Sequence, residues 1–292
     1  MIRIRKAFLS LGFFLSTLGA SVGSRAAVDI VGGRTWLQVG QMQLSGGGNF
    51  HDLAFDGSQW HISSGLHNFW WNFNAGFSLQ GTTTIAAVSD MRGLAYSNAL
   101  NQLVIGDTNS GTIRFVDLGG TVHSQFSTGS FQMEGLDFDN RDSTIWLSLF
   151  DGQIQHWSSS GLLLSSFNGL ASLPLSFGWS SLAIDPTTNH LFAMNDNDSI
   201  YEFTMSGQLL GKIIDDPFPG GDSYSGNGLG LNYDPVTMLL RTTSQAGGLV
   251  TFRAVPEPSA IAFAILTTGI VLGARNPTLR RSKRRCKTSM MR

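Results

Sequence analysis

The feature that most restricts this chain is a repeat. A small residue, a leucine, any residue and then an aromatic or aliphatic one recur five times, each time before a polar turn. The copies are Asp52-Leu53-Ala54-Phe55, Gly93-Leu94-Ala95-Tyr96, Gly135-Leu136-Asp137-Phe138, Ser181-Leu182-Ala183-Ile184 and Gly230-Leu231-Asn232-Tyr233. The leucines are spaced 41, 42, 46 and 49 residues apart. Each copy is followed by a second alternating segment: Trp60–Ser64, Leu103–Gly106, Ile145–Leu149, Leu191–Met194 and Leu239–Thr242. After a turn rich in Gly, Asn or Asp comes a third: Phe69–Phe73, Thr112–Val116, Gln153–Trp157, Ser199–Phe203 and Leu249–Arg253. A glycine (Gly76, Gly120, Gly161 or Gly207) then introduces a fourth, among them Thr121–Phe126, Leu162–Phe167 and Gln208–Ile213. Apolar alternation with period two marks strands, and the short turns between them mark hairpins.

Four strands per unit of about 40–45 residues is the pattern of a β-propeller. The composition agrees. Only 13% of the 292 residues are charged, while 35 Gly serve the turns and 20 Phe with 7 Trp supply bulk for the core. The fifth unit stops after its third strand, where Phe252-Arg253-Ala254 runs into Val255-Pro256. A spare fourth-strand pattern, Gly33-Arg34-Thr35-Trp36-Leu37-Gln38-Val39, lies at the other end, one period before Gly76. The N-terminal strand is therefore expected to pair onto the last blade, closing a ring of five and leaving no open sheet edge.

Charge is segregated along the chain. Residues 27–255 carry 7 basic and 19 acidic side chains, whereas both ends are basic. An acidic body argues against a nucleic-acid partner, because phosphate binding needs a cationic surface. Residues 1–26 have the three parts of a secretory signal: Arg3, Arg5 and Lys6, an apolar stretch from Ala7 to Gly19, and small residues at Ser24-Arg25-Ala26 that place cleavage after Ala26. The stretch is shorter than the roughly 20 residues of a membrane span. The lone cysteine, Cys286, lies in the C-terminal tail, so the body has no disulfide and no thiol chemistry. The expected organisation is a signal helix (1–26), an all-β propeller (27–254), a Pro-containing linker (255–259), a single transmembrane helix (260–274) and a basic cytoplasmic tail (275–292).

In a propeller the innermost strands line a central channel. The residues two before each repeat leucine, near one mouth, are His51, Arg92, Glu134, Ser180 and Leu229, with Trp179 adjacent. Scaffold positions should repeat their residue type around the ring, and these do not. His51, Arg92, Glu134, Trp179 and Ser180 are accordingly the candidate ligand site. The competing reading is a plug in which Arg92 pairs with Glu134. Two acidic stretches, Asn195–Ser199 and Asp137–Asp142, offer oxygens for calcium, but neither has the spacing of a calcium loop and both suit hairpin turns. His51, His61 and His67 lack metal-helix spacing, and Ser223 and Ser225 lack a nucleophile-elbow pattern. Trp70 and Trp71 face opposite ways on a strand, so one is expected in the core and the other is a candidate for stacking on sugars.

Val255-Pro256-Glu257-Pro258-Ser259, the apolar run to Ala274 and the Arg cluster from Arg275 together resemble the PEP-CTERM sorting signal of Gram-negative bacteria. The resemblance covers about forty residues, and the tail runs on to Arg292, longer than the family pattern. It implies export, anchoring in the inner membrane, and processing by an exosortase-type membrane protease that passes the body to the cell surface or extracellular matrix. The body is similar to bacterial propellers of the NHL type. Met133-Glu134-Gly135-Leu136 also resembles the acidic ligand of gluconolactonase-like propellers, which implies a divalent metal at Glu134 in that reading. Two functions follow as expectations. One is a non-catalytic binding module without cofactor, for exopolysaccharide or envelope proteins. The other is a metal-dependent lactonase or esterase-like hydrolase using Glu134 and His51.

Overall fold

The computed structural model describes residues 34–255, apart from 172, 174–177, 196–198, 216 and 219–227. The signal region, the apolar segment, the basic tail, the Ser223 and Ser225 stretch and all but the first residue of the Val255-Pro256-Glu257-Pro258 motif lie outside the described residues. Among the described residues, no helix is long and apolar enough to cross a membrane.

Among the described residues, twenty strands form five four-stranded antiparallel sheets. Blade 1 contains β2 (Phe50–Phe55), β3 (Gln59–Ser64), β4 (Phe69–Asn74) and β5 (Leu79–Thr84). Blade 2 contains β6 (Met91–Ser97), β7 (Gln102–Asp107), β8 (Thr112–Val116) and β9 (Val122–Ser127). Blade 3 contains β10 (Met133–Asp139), β11 (Thr144–Leu149), β12 (Gln153–Ser158) and β13 (Leu163–Asn168). Blade 4 contains β14 (Trp179–Asp185), β15 (His190–Asn195), β16 (Ile200–Thr204) and β17 (Leu209–Ile214). Blade 5 joins β18 (Gly228–Asp234), β19 (Leu239–Ser244) and β20 (Gly248–Val255) to β1 (Thr35–Gln43). β1 pairs with β20 from Thr35↔Val255 to Gln43↔Gly248, with one register shift between Gln38 and Gly40. The ring is thus closed by the N-terminal strand, as the leftover pattern around Trp36 predicts. β20 ends at Val255, where Pro256 follows and has no N–H to donate to a ladder.

The hydrophobic effect organises the molecule between the sheets rather than within one central core. Each apolar cluster joins two neighbouring blades. One unites Phe192 and Ile200 of blade 4 with Tyr233, Val250 and Trp36 of blade 5, and another unites Val104 and Phe115 of blade 2 with Phe138 and Leu147 of blade 3. The remaining clusters lie between blades 1 and 2, 3 and 4, and 5 and 1. Inner strands are covered on both faces, which is why they read as near-continuous apolar runs. This corrects the expectation for Trp70 and Trp71. They do face opposite ways, but each meets a neighbouring blade, and both are buried, at 0% and 4% exposure. Neither is available to stack on a sugar.

The turn before each fourth strand shows a smaller correction. Gly120, Gly161 and Gly207 occupy the left-handed conformation, with φ of 94°, 87° and 87°. In blade 1 that position falls one residue later, on Phe77 at φ 61°, and its ring stacks on Trp60 at 5.0 Å. The packing of that ring is the compensation on view for a non-glycine residue in this region.

Candidate functional site

The start of every inner strand carries a β-bulge. The register between first and second strand slips at Phe50/Leu53, Met91/Gly93, Met133/Gly135, Trp179/Ser181 and Gly228/Gly230. The extra residue is the one two before the repeat leucine: His51, Arg92, Glu134, Ser180 or Leu229. A bulge leaves its residue out of the ladder and re-aims the side chain. This is the local reason that these positions break the repeat in chemistry while keeping it in spacing. We call the end of the channel where they sit the upper mouth.

Three of the five sequence-derived candidates meet there. Arg92 Nη1 donates to both oxygens of Glu134, at 2.5 and 2.7 Å, and Arg92 Nε donates to Asp90, at 3.3 and 3.2 Å. The guanidinium is thus clamped between two carboxylates, which raise its pKa against the opposing effect of burial. Asp90 also accepts the Leu66 N–H at 2.7 Å, tying the neighbouring turn to the clamp. His51 is buried beside them. Burial first, then the charge of Arg92, push its imidazole down to about 3, so it is neutral at physiological pH. Its Cδ2 lies only 2.0 Å from where a Cβ on residue 65 would sit, so Gly65 is required for the ring to fit. His51, Arg92, Glu134, Leu66 and Phe150 are among the residues that border a cavity of about 180 Å³.

Trp179 and Ser180 are not part of it. Trp179 is fully buried between blades 3 and 4 and donates its indole N–H to the Gly152 carbonyl at 2.9 Å. Ser180 is fully buried and donates to the Met194 carbonyl at 3.1 Å. Blade 4 spends its bulge on packing, whereas blades 1 to 3 present theirs at the mouth.

The donor set at the upper mouth does not suit a metal. Both Glu134 oxygens face Arg92, and among the described residues no group of three or more His, Cys, Asp or Glu converges. The acidic run Asp137–Asp142 diverges. Asp139 pairs with Arg141 at 2.6 Å, Asn140 accepts the Asn98 N–H of blade 2, and Asp142 caps Thr144. His61 is held by Asn72 and Asp56, away from His51. Of the second acidic stretch, Asn195 caps the Ser199 N–H at 3.0 Å, and 196–198 lie outside the described residues.

Sequence reasoning missed the residue that closes the channel. Asp52 is fully buried on the axis and touches all five inner strands. Its Oδ1 accepts from Leu53 N–H (3.1 Å), the Ser181 hydroxyl (3.1 Å) and Leu231 N–H (3.4 Å). Its Oδ2 accepts from Leu94 N–H and Leu136 N–H, both at 3.0 Å. Burial pushes the Asp52 carboxyl well above the usual carboxylate range, against the pull of these N–H donors. The other four blades carry Gly93, Gly135, Ser181 and Gly230 at this repeat position. A Cβ on Gly135 would lie 2.4 Å from Ser181 Cα, and one on Gly230 would lie 2.1 Å from the His51 carbonyl oxygen. There is room at the axis for one large side chain, and Asp52 takes it. The signal in the sequence is the one charged residue in a column otherwise made of Gly and Ser.

Below Asp52 the channel opens again. The C-terminal ends of the inner strands and the turns after them enclose a cavity of about 670 Å³. Asp137 reaches it from β10, its carboxyl raised by burial to about 7 and accepting the N–H groups of Ile184 and Phe138 at 2.7 and 2.8 Å. Arg241 of β19 lies in the wall, its guanidinium 4.8 Å from the Trp60 ring centroid. The sequence offers Asp137 only as part of a calcium-like acidic stretch, and it does not single out Arg241.

No protein-family model matches the chain, and no curated protein matches it. Solved structures are similar to it. A glutaminyl cyclase from Myxococcus xanthus is similar over 76% of this chain and 97% of its own, at 12% identity and a TM-score of 0.61. The hydrazine synthase of Kuenenia stuttgartiensis is similar over 68% of this chain, at 15% identity and a TM-score of 0.46, and this chain spans 56% of its length. At such identities the likeness to the cyclase is one of fold, and the chain is a five-bladed β-propeller.

Proposed function

We propose that this chain is an exported surface protein whose propeller is a binding module for exopolysaccharide or envelope proteins at its upper mouth. The observation that carries the reading is the combination of a closed Arg92–Glu134 pair with an exposed apolar rim. Leu66, Phe131 and Phe150 are 61%, 64% and 41% exposed, on the turn after β3, just before β10 and on the turn after β11. A shallow mouth whose charges are already paired favours laying a large partner across it over chemistry within it. The rim aromatics suit stacking on a sugar face or packing against a protein.

The sorting motif beginning at Val255 supports the address. In this reading residues 1–26 direct export, 260–274 hold the protein in the inner membrane, and an exosortase-type protease acts near Pro256-Glu257-Pro258. The body then reaches the cell surface or matrix of a Gram-negative bacterium. The metal-dependent hydrolase is disfavoured because its one acidic ligand, Glu134, is engaged by Arg92.

The test is a glycan array and an envelope-protein pull-down with the body, residues 27–259, with and without chelator. Binding that survives chelator and is lost in Phe131→Ala/Phe150→Ala supports the proposal. Chelator-sensitive binding, or turnover of a lactone lost in Glu134→Gln, would replace it with the hydrolase.

A further inference from the structure

The lower cavity has the properties of a small-molecule site and is separated from the upper mouth by Asp52. Its volume of about 670 Å³ falls within the range of ligand pockets, which are concave, mostly apolar and supplied with a few polar groups. Phe55, Tyr96, Phe138, Tyr233 and Pro235 contribute flat apolar surface.

The decisive feature is a cation with no ion-pair partner among the described residues. Of the five other arginines among the described residues, four each hold a carboxylate, Arg34 with Asp185, Arg92 with Glu134, Arg114 with Asp107 and Arg141 with Asp139, and the fifth, Arg253, is exposed. Arg241 is half-buried and has no ion pair among the described residues. Its Nη1 is sealed from solvent with no acceptor, and desolvation lowers its pKa, opposed by the charge of Asp234. The guanidinium rests instead on Trp60, itself backed by Phe55 at 4.6 Å and Phe77 at 5.0 Å. Buried charges are ordinarily paired, and a cation over an aromatic face is stabilised without being neutralised. What Arg241 lacks is a carboxylate paired with it.

The acids nearby do not fill that role. Asp139 is engaged by the Arg141 fork, and Asp234 is turned back onto the Val236 and Thr237 N–H groups. Asp137 sits at the axis and accepts two backbone N–H groups. With one unpaired guanidinium, and with Asp139 and Asp234 in the same wall, the cavity favours a monoanion over a dianion. A guanidinium fork also matches a carboxylate in geometry.

We propose that the lower mouth binds a small organic carboxylate with a flat apolar body, its carboxylate on Arg241 and its body against the aromatic wall. This site is independent of the partner proposed for the upper face.

The test is isothermal titration calorimetry of the full-length chain with 2-naphthoate, its neutral amide and 2-naphthyl phosphate. The expected result is binding of 2-naphthoate, at least about tenfold weaker binding of the amide, and phosphate no tighter than carboxylate. Arg241→Met should weaken 2-naphthoate by about tenfold or more. Should that variant fail to fold, Ala75→Trp replaces it. Ala75 is an exposed residue of the cavity wall, so a bulky ring there blocks entry without disturbing a core. Leu164→Ser, an exposed position on the outermost strand of blade 3, should leave the affinity unchanged. Three results would overturn the proposal: no binding of 2-naphthoate, equal binding of the amide, or affinity unaffected by both Arg241→Met and Ala75→Trp. Tighter binding of the phosphate would overturn the choice of carboxylate.

Discussion

The two mouths of this channel are made by the same five inner strands, yet they differ in how charge is settled. At the upper mouth the bulges bring Arg92 and Glu134 together, and Asp90 completes the clamp. The protein supplies its own counter-ions, and what is left to solvent is an apolar rim. At the lower mouth Arg241 lies against Trp60 with no carboxylate on it, above a wider and more aromatic space. The scaffold symmetry is the same at both ends. Compensation of charge, not concavity alone, separates a surface suited to a large partner from a pocket suited to a small anion. Asp52 makes the difference possible, since it closes the axis between them.

The comparison depends on the ring being closed, and the largest effect should come from opening it. Deleting residues 35–43 removes β1, strips β20 of its partner and exposes the apolar surface around Trp36. Circular dichroism and thermal melting should show loss of cooperative unfolding. An unchanged melting temperature would refute the closure. Next comes the divider. Asp52→Ala leaves four N–H groups and one hydroxyl without their acceptor at the axis, at a cost of about 3–5 kcal/mol by denaturant titration. A change under about 1 kcal/mol would mean that the axis is not held by this carboxylate.

Breaking the upper clamp should cost less than losing the divider. Arg92→Met leaves Glu134, only 5% exposed, as a carboxylate without that partner, and about 2–3 kcal/mol of stability should be lost. Glu134→Gln keeps a hydrogen-bonding group and should cost less than Arg92→Met in the same titration. The reverse order would show that the pair is not the dominant contact of Glu134.

The mouths should also respond to pH with opposite signs. The Asp137 carboxyl is raised from 3.8 to about 7, so the folded state holds that proton more tightly than the unfolded chain. Its contribution is full below the ordinary value and is lost as pH rises through about 7. His51 is lowered from 6.5 to about 3, so its contribution is full above 6.5 and is lost as pH falls toward 3. Between pH 4 and 6.5 the two slopes oppose. Asp137→Asn should make the melting temperature rise more steeply with pH, and His51→Gln should make it fall. Identical profiles for both variants and wild type would remove this linkage.

The periodic part of this structure was readable because repeats are redundant. Five leucines 41 to 49 residues apart and an unmatched strand around Trp36 determine blade count and closure with no knowledge of side-chain contacts. The site was half readable. His51, Arg92 and Glu134 stand out as chemical exceptions at a repeated position, but Ser180 shares that spacing and, like its neighbour Trp179, is spent on packing. Sequence spacing locates a bulge and does not say which way its residue is spent. The pair Trp70 and Trp71 departs from expectation for a related reason, since alternation separates faces without revealing that both are covered. Arg241 could not be weighed at all, because its distinction is the lack of a partner in space.

Where an organic carboxylate rests is the most direct test of the difference between the mouths. A crystal structure of the protein with 2-naphthoate should place the carboxylate on the Arg241 guanidinium and leave the Arg92–Glu134 pair intact. A carboxylate seated at Arg92, with that pair opened and the lower cavity unchanged, would contradict the account.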